Sequence, residues 1–270
     1  MKASVIISTY NSKEWLEKVL WGLNAQTNKE FEVVIADDGS REDTRQMIDQ
    51  LRPQLSYPIT HVWHEDNGFQ KSQILNKAIL ASKTDYLIFT DGDCIVRNDF
   101  IQTHLKFRKE GYFLSGGYFK LPMSISQLIS KDDILSQRCF DISWLKKNGL
   151  PSSLKNLKIS AKKPFIGLLN FLTPTTPSWN GHNASGWKKD LVKVNGFNEE
   201  MQYGGQDREL GDRLVNLGIK PVQFRYSAIC LHLDHKRGYN TKESKQKNHN
   251  IRMKTLNEKI IRTPVGIEKD

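Results

Sequence analysis

The chain contains the stretch Tyr86-Leu87-Ile88-Phe89-Thr90-Asp91-Gly92-Asp93, an apolar run that ends at two carboxylates separated by one glycine. Interpreted as a buried strand, it carries Asp91 and Asp93 to the end of the strand, and because side chains alternate with period two, both carboxylates point the same way. Carboxylate oxygens suit Mg²⁺ or Mn²⁺, and Gly92 lets a bulky ligand approach the backbone. The same residues are also typical of a strand followed by an Asp-Gly turn, so the rest of the chain has to decide.

Apolar stretches and amphipathic stretches alternate through the first 110 residues. The pattern predicts strands at 3–8, 31–36, 61–64 and 86–90, and helices at 13–25, 41–51, 71–82 and 99–109. Strands that alternate with helices are typical of a parallel sheet covered by helices on its faces. The sequence therefore predicts an α/β fold with a mostly parallel central sheet.

Polar residues follow the predicted strands where each one ends, in the stretches 8–11, 37–40, 65–71 and 91–93. Open α/β sheets bind their ligands at the carboxyl ends of the strands, so four polar clusters at one edge predict a binding site there. The first strand is not followed by G-x-G-x-x-G, and the chain has no G-x-x-x-x-G-K-[ST]. The absence of the first motif argues against a dinucleotide cofactor, and the absence of the second argues against a P-loop NTPase.

The pattern changes after residue 111. Residues 112–120 predict a strand interrupted by the pair Gly116-Gly117. The segment 122–177 is rich in Ser, Lys and Pro, with one predicted helix around 132–145, and we interpret it as an insertion that is mobile or faces a membrane. A β-rich stretch at 222–230 ends just before His232 and His235, and each histidine is either a surface residue or a ligand for the cation.

Asp207 follows Gly204-Gly205 and precedes a predicted helix at 208–216. A carboxylate in this position either caps the helix or points into a cleft. Capping does not require two glycines, whereas a backbone that passes close to a ligand is served by them. Both interpretations of Asp207 remain open at this level.

The chain carries a formal net charge of +10, which favours nucleic acid, an anionic membrane surface or phosphate-bearing small molecules as partners. The excess positive charge is concentrated in residues 155–163 and in the tail from residue 236 onward. The first of these segments adjoins the apolar run 164–172. This composition is typical of an interfacial membrane contact, and a solvated surface is the alternative.

The cellular compartment is indicated by three features of the sequence. No apolar run approaches the length of a membrane-spanning helix, and the N-terminus does not resemble a signal peptide. The cysteines, Cys94, Cys139 and Cys230, are odd in number and form no C-x-x-C pair, which indicates a reducing compartment and argues against a zinc site. We therefore expect a cytoplasmic protein.

These motifs resemble glycosyltransferase family 2, the nucleotide-sugar-dependent transferases of GT-A fold, over most of the chain outside 122–177 and the basic tail. The resemblance is carried by residues 5–11, by residues 33–40 and by Asp91-Gly92-Asp93. Residues 63–69 with 76–78, and 181–185 with 204–207, are similar more narrowly to bacterial chondroitin polymerase domains and related galactosyl- or N-acetylgalactosaminyltransferases.

The resemblance implies a single GT-A domain with a Rossmann-like sheet over residues 1–235, followed by a basic tail at 236–270. Within the domain, residues 1–110 would be the nucleotide-binding half and 111–235 the acceptor half, with the insertion at about 122–177. The implied nucleotide-binding residues are Ser8, Thr9, Tyr10, Asp38, Gly68, Lys71, Asn76, Asp91, Gly92 and Asp93.

The resemblance also implies roles in catalysis. Asp207 matches the general base of the family's Gly-Gly-Glu-Asp motif, from which this chain departs by having Gln206 in place of glutamate. A Mn²⁺ or Mg²⁺ ion would be held by Asp91, Asp93 and His232, with His235 as the alternative to His232. The implied acceptor or sugar contacts are Trp179, His182, Asn183, Tyr203, Gly205 and Gln206.

The implied activity is inverting, metal-dependent transfer of a hexose or N-acetylhexosamine of Gal, GalNAc or Glc type from a UDP-sugar to a hydroxyl group. The acceptor would be a saccharide or a lipid-linked saccharide in lipopolysaccharide or capsular polysaccharide synthesis, with peripheral contact at the cytoplasmic face of the inner membrane. A nucleotidyltransferase that makes nucleotide sugars is one alternative, but its glycine- and lysine-rich first loop is missing. A non-catalytic nucleotide or nucleic-acid binder would explain the charge but not the aspartates, so no nucleic-acid partner is expected.

Overall fold

The computed structural model describes residues 1–161, 163–235 and 241–269, and its described strands form two sheets. The large sheet has seven strands in the order β3-β2-β1-β4-β8-β6-β9, and the small sheet has three in the order β5-β10-β7. The strands are β1 (Ala3–Thr9), β2 (Phe31–Asp37), β3 (Ile59–Trp63), β4 (Tyr86–Asp91), β5 (Cys94–Val96), β6 (Tyr112–Ser115), β7 (Gly117–Lys120), β8 (Ala184–Trp187), β9 (Lys220–Gln223) and β10 (Ile229–His232).

The large sheet is mostly parallel. β1 pairs in parallel with β2 and β4, and β2 pairs in parallel with β3. β8 runs antiparallel to both of its neighbours, β4 and β6, whereas β6 and β9 are parallel. The mostly parallel central sheet predicted from the sequence is confirmed.

Helices cover both faces of the large sheet. They are α1 (Lys13–Asn24), α2 (Glu42–Leu51), α3 (Lys71–Ala81), α4 (Phe100–Phe107), α5 (Met123–Leu128), α6 (Lys131–Leu135), α7 (Ile142–Lys147), α8 (Leu157–Ser160), α9 (Lys163–Leu172), α10 (Lys188–Lys193), α11 (Gln206–Asn216) and α12 (Lys242–Asn257). Successive side chains of β1 enter different cores: Val5 and Ile7 pack in the cluster that contains α1, and Ile6 packs in the cluster that contains α3. Within the described residues no helix is both long and apolar enough to cross a membrane.

The segment 122–150 packs into the core, which differs from the expected mobile insertion. Ile125, Ile129 and Ile134 are buried in the same cluster as α1. The single helix expected around 132–145 is replaced by α6 and α7, with a short 3₁₀ turn between them. The break has a local cause, because Gln137 adopts a left-handed backbone conformation with φ of 62° just before that turn.

The described part of the basic tail also packs against the domain. Helix α12 lies along α11, where Arg252 forms an ion pair with Asp212 at 2.6 Å. The Thr255 hydroxyl donates to the carboxylate of Glu209 at 3.0 Å. Residues 241–269, predicted from the sequence as part of a basic tail after the domain, are therefore joined to α11.

Candidate active site

A large cleft opens at the carboxyl ends of β1 and β4, between the two sheets. Its volume is about 1620 Å³, which exceeds the ~300–1,000 Å³ typical of small-molecule sites and leaves room for two ligands at once. Most of the site residues expected from the sequence line it: Ser8, Thr9, Tyr10, Asp38, Gly68, Lys71, Asp91, Gly92, Asp93, Trp179, His182, Tyr203, Gly205, Gln206, Asp207, His232 and His235.

The stretch Asp91-Gly92-Asp93 joins the two sheets. Asp91 ends β4 of the large sheet, and Asp93 precedes β5 of the small sheet. The Gly92 N–H donates to the Ser8 carbonyl at 2.8 Å, and a β-carbon added at Gly92 would lie 2.9 Å from that oxygen. Glycine is required here because any side chain would collide with β1. These residues thus end a strand, as the sequence predicts, and they also line the cleft.

Asp91 is neutralised by the protein itself. Its Oδ1 accepts hydrogen bonds from the Ser8 hydroxyl at 2.7 Å and from the Lys71 ammonium at 2.8 Å. Burial alone would raise the pKa of Asp91, but the adjacent Lys71 charge outweighs it and holds that pKa well below its usual range. Asp91 therefore stays ionised, with Lys71 as its counter-ion.

Asp93 instead faces two imidazoles. Asp93 Oδ2 lies 3.0 Å from His235 Nε2 and 3.6 Å from His232 Nε2. His232 Nδ1 lies 2.8 Å from the Leu233 carbonyl, which can only accept, so Nδ1 carries a proton and Nε2 is the nitrogen on the side of Asp93. One carboxylate and two imidazole nitrogens form a donor set that fits a divalent cation.

Cys94 is close to this group but differs in chemistry. Ligand atoms of Asp93, Cys94 and His232 all lie within 4.8 Å of one another. Burial raises the pKa of the Cys94 thiol well above its usual range, and the thiol donates to Asp93 Oδ1 at 3.3 Å. A protonated thiol is a poor metal ligand, so Cys94 supports Asp93 rather than joining the donor set.

Asp38 directly follows β2 and lines the same cleft as Asp91 and Asp93. Its Oδ1 lies 2.8 Å from His64 Nε2, and its Oδ2 accepts the Gln70 N–H at 3.0 Å. Burial raises the pKa of Asp38. Nearby, the Thr9 hydroxyl is buried without a hydrogen-bond partner in the described part of the chain. A buried polar atom in a cleft is costly unless a ligand satisfies it, which favours a polar ligand at this position.

Asp207 lies in the first turn of α11 and does not cap the helix. The preceding Gly204 and Gly205 adopt left-handed conformations with φ of 107° and 95°, which explains why glycine is needed at both positions. Asp207 Oδ1 is buried and has no hydrogen-bond partner among the described residues. Burial raises the pKa of Asp207 to about 6, against the lowering effect of Lys71. The cleft-facing interpretation of Asp207 is the one that the geometry supports.

Gln206 turns back onto its own loop. Its Oε1 accepts the Gly204 N–H at 2.9 Å, and the residue is only 4% exposed. A glutamate would accept the same hydrogen bond through its carboxylate. The substitution therefore preserves the geometry of the loop while removing one negative charge beside Asp207.

Helix α12 holds this loop from behind. Asn248 Nδ2 donates to the carbonyls of Gln202 at 2.9 Å and Gly204 at 2.8 Å. The Ser244 hydroxyl donates to the Tyr203 carbonyl at 2.9 Å. Three consecutive carbonyls before Asp207 are thus bound by one helix, so the position of Asp207 depends on α12.

Two predicted contacts, Asn76 and Asn183, lie outside the lining of the cleft, and a third, Trp179, lines it from a buried position. Asn76 binds the backbone of Phe197 at 2.9 and 2.7 Å and is buried. The Trp179 ring is fully buried against Phe89, with ring centroids 5.3 Å apart. Asn183 is fully buried and donates to the Gly117 carbonyl at 2.8 Å. Asn76 and Asn183 thus bond to backbone groups, whereas the buried Trp179 Nε1 has no hydrogen-bond partner among the described residues.

Other residues contribute to the site without having been predicted. Tyr118 stands between two of the histidines, with ring centroids 4.6 Å from His182 and 5.3 Å from His232. Asn180 lines the cleft, and its Oδ1 accepts the Asn183 N–H at 2.8 Å. Alternation along β7 after the glycine pair was the available signal for Tyr118, since every second residue of a strand faces the same side.

Comparison with known protein families gives a match in the first half of the chain. Residues 4–124 match the family model described as glycosyl transferase family 2. An uncharacterised glycosyltransferase of Bacillus subtilis is 28% identical over 87% of this chain and 65% of its own length. The chondroitin synthase of Escherichia coli is 27% identical over 80% of this chain and 32% of its own length. The chain thus spans less than two thirds of these curated relatives.

Solved structures share the architecture. The structure of GalNAc-T7 with UDP, GalNAc and Mn²⁺ superposes with a TM-score of 0.62 at 13% identity, over 93% of this chain and 47% of that one. A mannosyltransferase of Pyrobaculum calidifontis with GDP-Man and Mn²⁺ gives a TM-score of 0.58 at 18% identity, over 88% of this chain and 58% of that one. At this level of identity the likeness concerns the fold, and it confirms the predicted GT-A fold.

Proposed function

The chain carries a glycosyltransferase family 2 domain, and we propose that the protein is an inverting, metal-dependent glycosyltransferase. It moves a hexose or N-acetylhexosamine of Gal, GalNAc or Glc type from a UDP-sugar to a hydroxyl group of a saccharide acceptor. One observation carries the proposal. The unpartnered carboxylate oxygen of Asp207 lines the same cleft as Asp38, Asp91 and Asp93.

The donor occupies the side of the cleft formed by the ends of β1, β2 and β4. Asp38 and the unpartnered Thr9 hydroxyl bind the uridine, and Asp91 bears on the ribose. Lys71, which is 20% exposed at its side chain, contributes positive charge next to the diphosphate. Solved relatives of the same fold support a nucleotide donor, since one contains UDP-GlcNAc and another contains UDP with GalNAc and Mn²⁺.

The cation is Mn²⁺ or Mg²⁺, held by Asp93 and His232 with His235 beside them. Asp91, which the sequence suggested as a further ligand, is already bound by Lys71 and Ser8. When bound, the cation supplies Lewis-acid neutralisation of the diphosphate leaving group. Imidazole nitrogens are softer ligands than the oxygens that Mg²⁺ prefers, so we expect Mn²⁺ to support the higher activity.

Asp207 acts as the general base. With its pKa raised to about 6, it is ionised at neutral pH and still basic enough to accept a proton from the acceptor hydroxyl. That hydroxyl oxygen attacks the anomeric carbon on the face opposite the diphosphate, so a single displacement inverts the configuration. His182 and Tyr203 line the adjoining part of the cleft and contact the sugars.

A direct test is a donor screen with the purified chain and Mn²⁺. UDP release is measured with UDP-Gal, UDP-GalNAc, UDP-Glc and UDP-GlcNAc, and GDP-Man serves as the control for nucleotide selectivity. We expect UDP release with at least one UDP-sugar, and loss of that release on chelation of the metal. Formation of UTP and sugar 1-phosphate when pyrophosphate is added would instead indicate a nucleotidyltransferase, and binding of nucleotide without turnover of any donor would indicate a non-catalytic binder.

The biological acceptor is a saccharide of a lipopolysaccharide or capsule precursor, free or lipid-linked, at the cytoplasmic face of the membrane. The positive charge of the chain supports contact with an anionic surface. A second experiment compares water-soluble oligosaccharides with lipid-linked acceptors. Faster transfer to lipid-linked acceptors only in the presence of vesicles supports the membrane assignment, and equal rates contradict it.

A further inference from the structure

Helix α9 presents an apolar face to solvent. Its side chains Phe165, Leu168, Phe171 and Leu172 are 59%, 54%, 85% and 62% exposed. Residues three or four positions apart lie on the same side of a helix, so these four form one continuous face, called here the α9 face. Folded proteins expose such faces where they contact a partner or a membrane.

The opposite side of α9 is fixed to the domain. Asn170 Nδ2 donates to the Ser227 hydroxyl at 2.9 Å, and Asn170 Oδ1 accepts the Tyr226 N–H at 2.9 Å. The adjacent Arg225 lines the cleft. The helix is therefore attached by its polar side at the rim of the cleft, which turns the α9 face away from the protein.

The charged residues of the segment that contains the α9 face are all positive. The segment 142–189, which contains α8 and α9, has eight lysines, no arginine and no Asp or Glu. Leu154 and Leu157, which precede α9 in the chain, are also exposed apolar residues, at 86% and 45%. Lys155 is exposed and lines the cleft. Apolar and basic groups side by side complement the acyl region and the headgroups of an anionic bilayer.

We propose that the α9 face docks onto an anionic lipid bilayer, with Phe165, Leu168, Phe171 and Leu172 entering the headgroup region. Lysines of the segment 142–189 contact the lipid phosphates. A second copy of this chain is the less suitable occupant, because two such lysine-rich segments brought face to face repel each other. Docking sets the rim of the cleft at the membrane surface, where a lipid-linked acceptor is presented.

Vesicle co-sedimentation of the full chain tests this proposal without any sugar donor, so its result is independent of the proposed transferase activity. Vesicles of phosphatidylcholine alone are compared with vesicles that also contain phosphatidylglycerol. The double variant Phe165→Glu/Phe171→Glu alters the α9 face. The matched control is Leu80→Glu, which alters an equally exposed leucine (54%) on α3.

We expect the unaltered chain and the Leu80→Glu control to bind the anionic vesicles, with binding that weakens as salt is added. The double variant should bind at least tenfold more weakly while keeping the melting temperature of the unaltered chain. Equal binding by the double variant overturns the proposal, as does failure of the unaltered chain to bind. A dimer that the double variant converts to a monomer in sedimentation velocity also overturns it and assigns the face to self-association.

A second variant separates the α9 face from the basic tail. Lys242→Glu/Lys247→Glu changes exposed charges on α12 and leaves α9 intact. We expect this variant to lose less binding than the α9 variant. Loss of binding in the α12 variant with full binding in the α9 variant would contradict the proposal and assign the contact to α12. Charge reversal is preferable to truncation here, because truncation would remove α12 from α11 and from the loop before Asp207.

Discussion

Asp38, Asp91 and Asp93 line the side of the cleft proposed to bind the sugar donor, and Asp207 lines the side proposed to bind the acceptor. The two sides differ in whether their carboxylates are paired with basic groups. Asp38, Asp91 and Asp93 each have a basic side chain within hydrogen-bond distance, namely His64, Lys71 and His235. Asp207 has an oxygen with no partner among the described residues. Each of the three carboxylates proposed to bind the donor is thus paired with a basic group, whereas the proposed proton acceptor has an unpaired oxygen and a pKa that burial raises to about 6.

The largest expected effect comes from removing the unpaired carboxylate. Asp207→Asn keeps the shape of the side chain but removes the proton acceptor, so we expect transfer to fall by about 10³-fold, within the range typical of general-base catalysis. UDP binding, measured by calorimetry in the presence of Mn²⁺, should stay within twofold of the unaltered chain. Unchanged transfer would assign the base to another residue and would remove the contrast between the two sides.

Substitutions of Asp91 and Asp93 should affect the Mn²⁺ dependence of UDP binding differently. Asp93→Asn removes the carboxylate that faces the imidazoles, and we expect at least ~100-fold loss of Mn²⁺-dependent UDP binding. Asp91→Asn leaves that donor set intact, so UDP binding should weaken while its dependence on Mn²⁺ remains. Titration of Mn²⁺ into each variant gives the answer. Equal loss of metal dependence in both variants would show that Asp91 is also a ligand.

A smaller effect is expected at the support behind Asp207. Asn248→Ala removes two hydrogen bonds to the loop, and we expect kcat to fall by roughly 30-fold, below the ~10²-fold that a 1 Å displacement can cost. The dissociation constant for UDP should not change. Asn250→Ala, at an exposed position of the same helix, is the matched control. A loss of stability with unchanged kcat would mean that Asn248 supports the fold but not the position of Asp207.

The smallest effect concerns pH. Because the pKa of Asp207 is raised to about 6, its ionised form is lost as pH falls through that value and is retained above it. Transfer should therefore be about tenfold slower at pH 5 than on its plateau above pH 7, with UDP binding followed in parallel. A pH profile of kcat that stays flat down to pH 5 would mean that the carboxylate is not the proton acceptor.

Strand-end residues were predictable because their signal is local. Apolar runs that stop at polar residues locate the edge of a parallel sheet, and Asp38, Lys71 and Asp91 follow from that rule. Asn76 and Asn183, which lie outside the lining of the cleft, could not be distinguished from lining residues by the same rule. Their roles depend on partners far away in the chain, such as the backbone of Phe197 for Asn76, 121 positions later.

Helix α12 was missed for a different reason. Its buried residues, Ser244, Asn248 and Thr255, are polar, so the helix shows no apolar stripe for a periodicity argument to find. Its contacts are hydrogen bonds to carbonyls of another segment, which no composition indicates. The sequence showed that the tail is basic, but it did not show that α12 binds the loop at 202–204.

The dependence of Asp207 on α12 also has a consequence for how the protein is made. The loop at residues 202–204 leaves the ribosome before Asn248, the residue that binds its carbonyls 44 and 46 positions earlier. At ~5–20 residues per second, the loop waits roughly 2–9 s for its partner. During that interval residues 1–110, the predicted nucleotide-binding half, are already synthesised and can fold before α12 is available. The nascent chain would therefore form the proposed nucleotide site before it positions the proposed base.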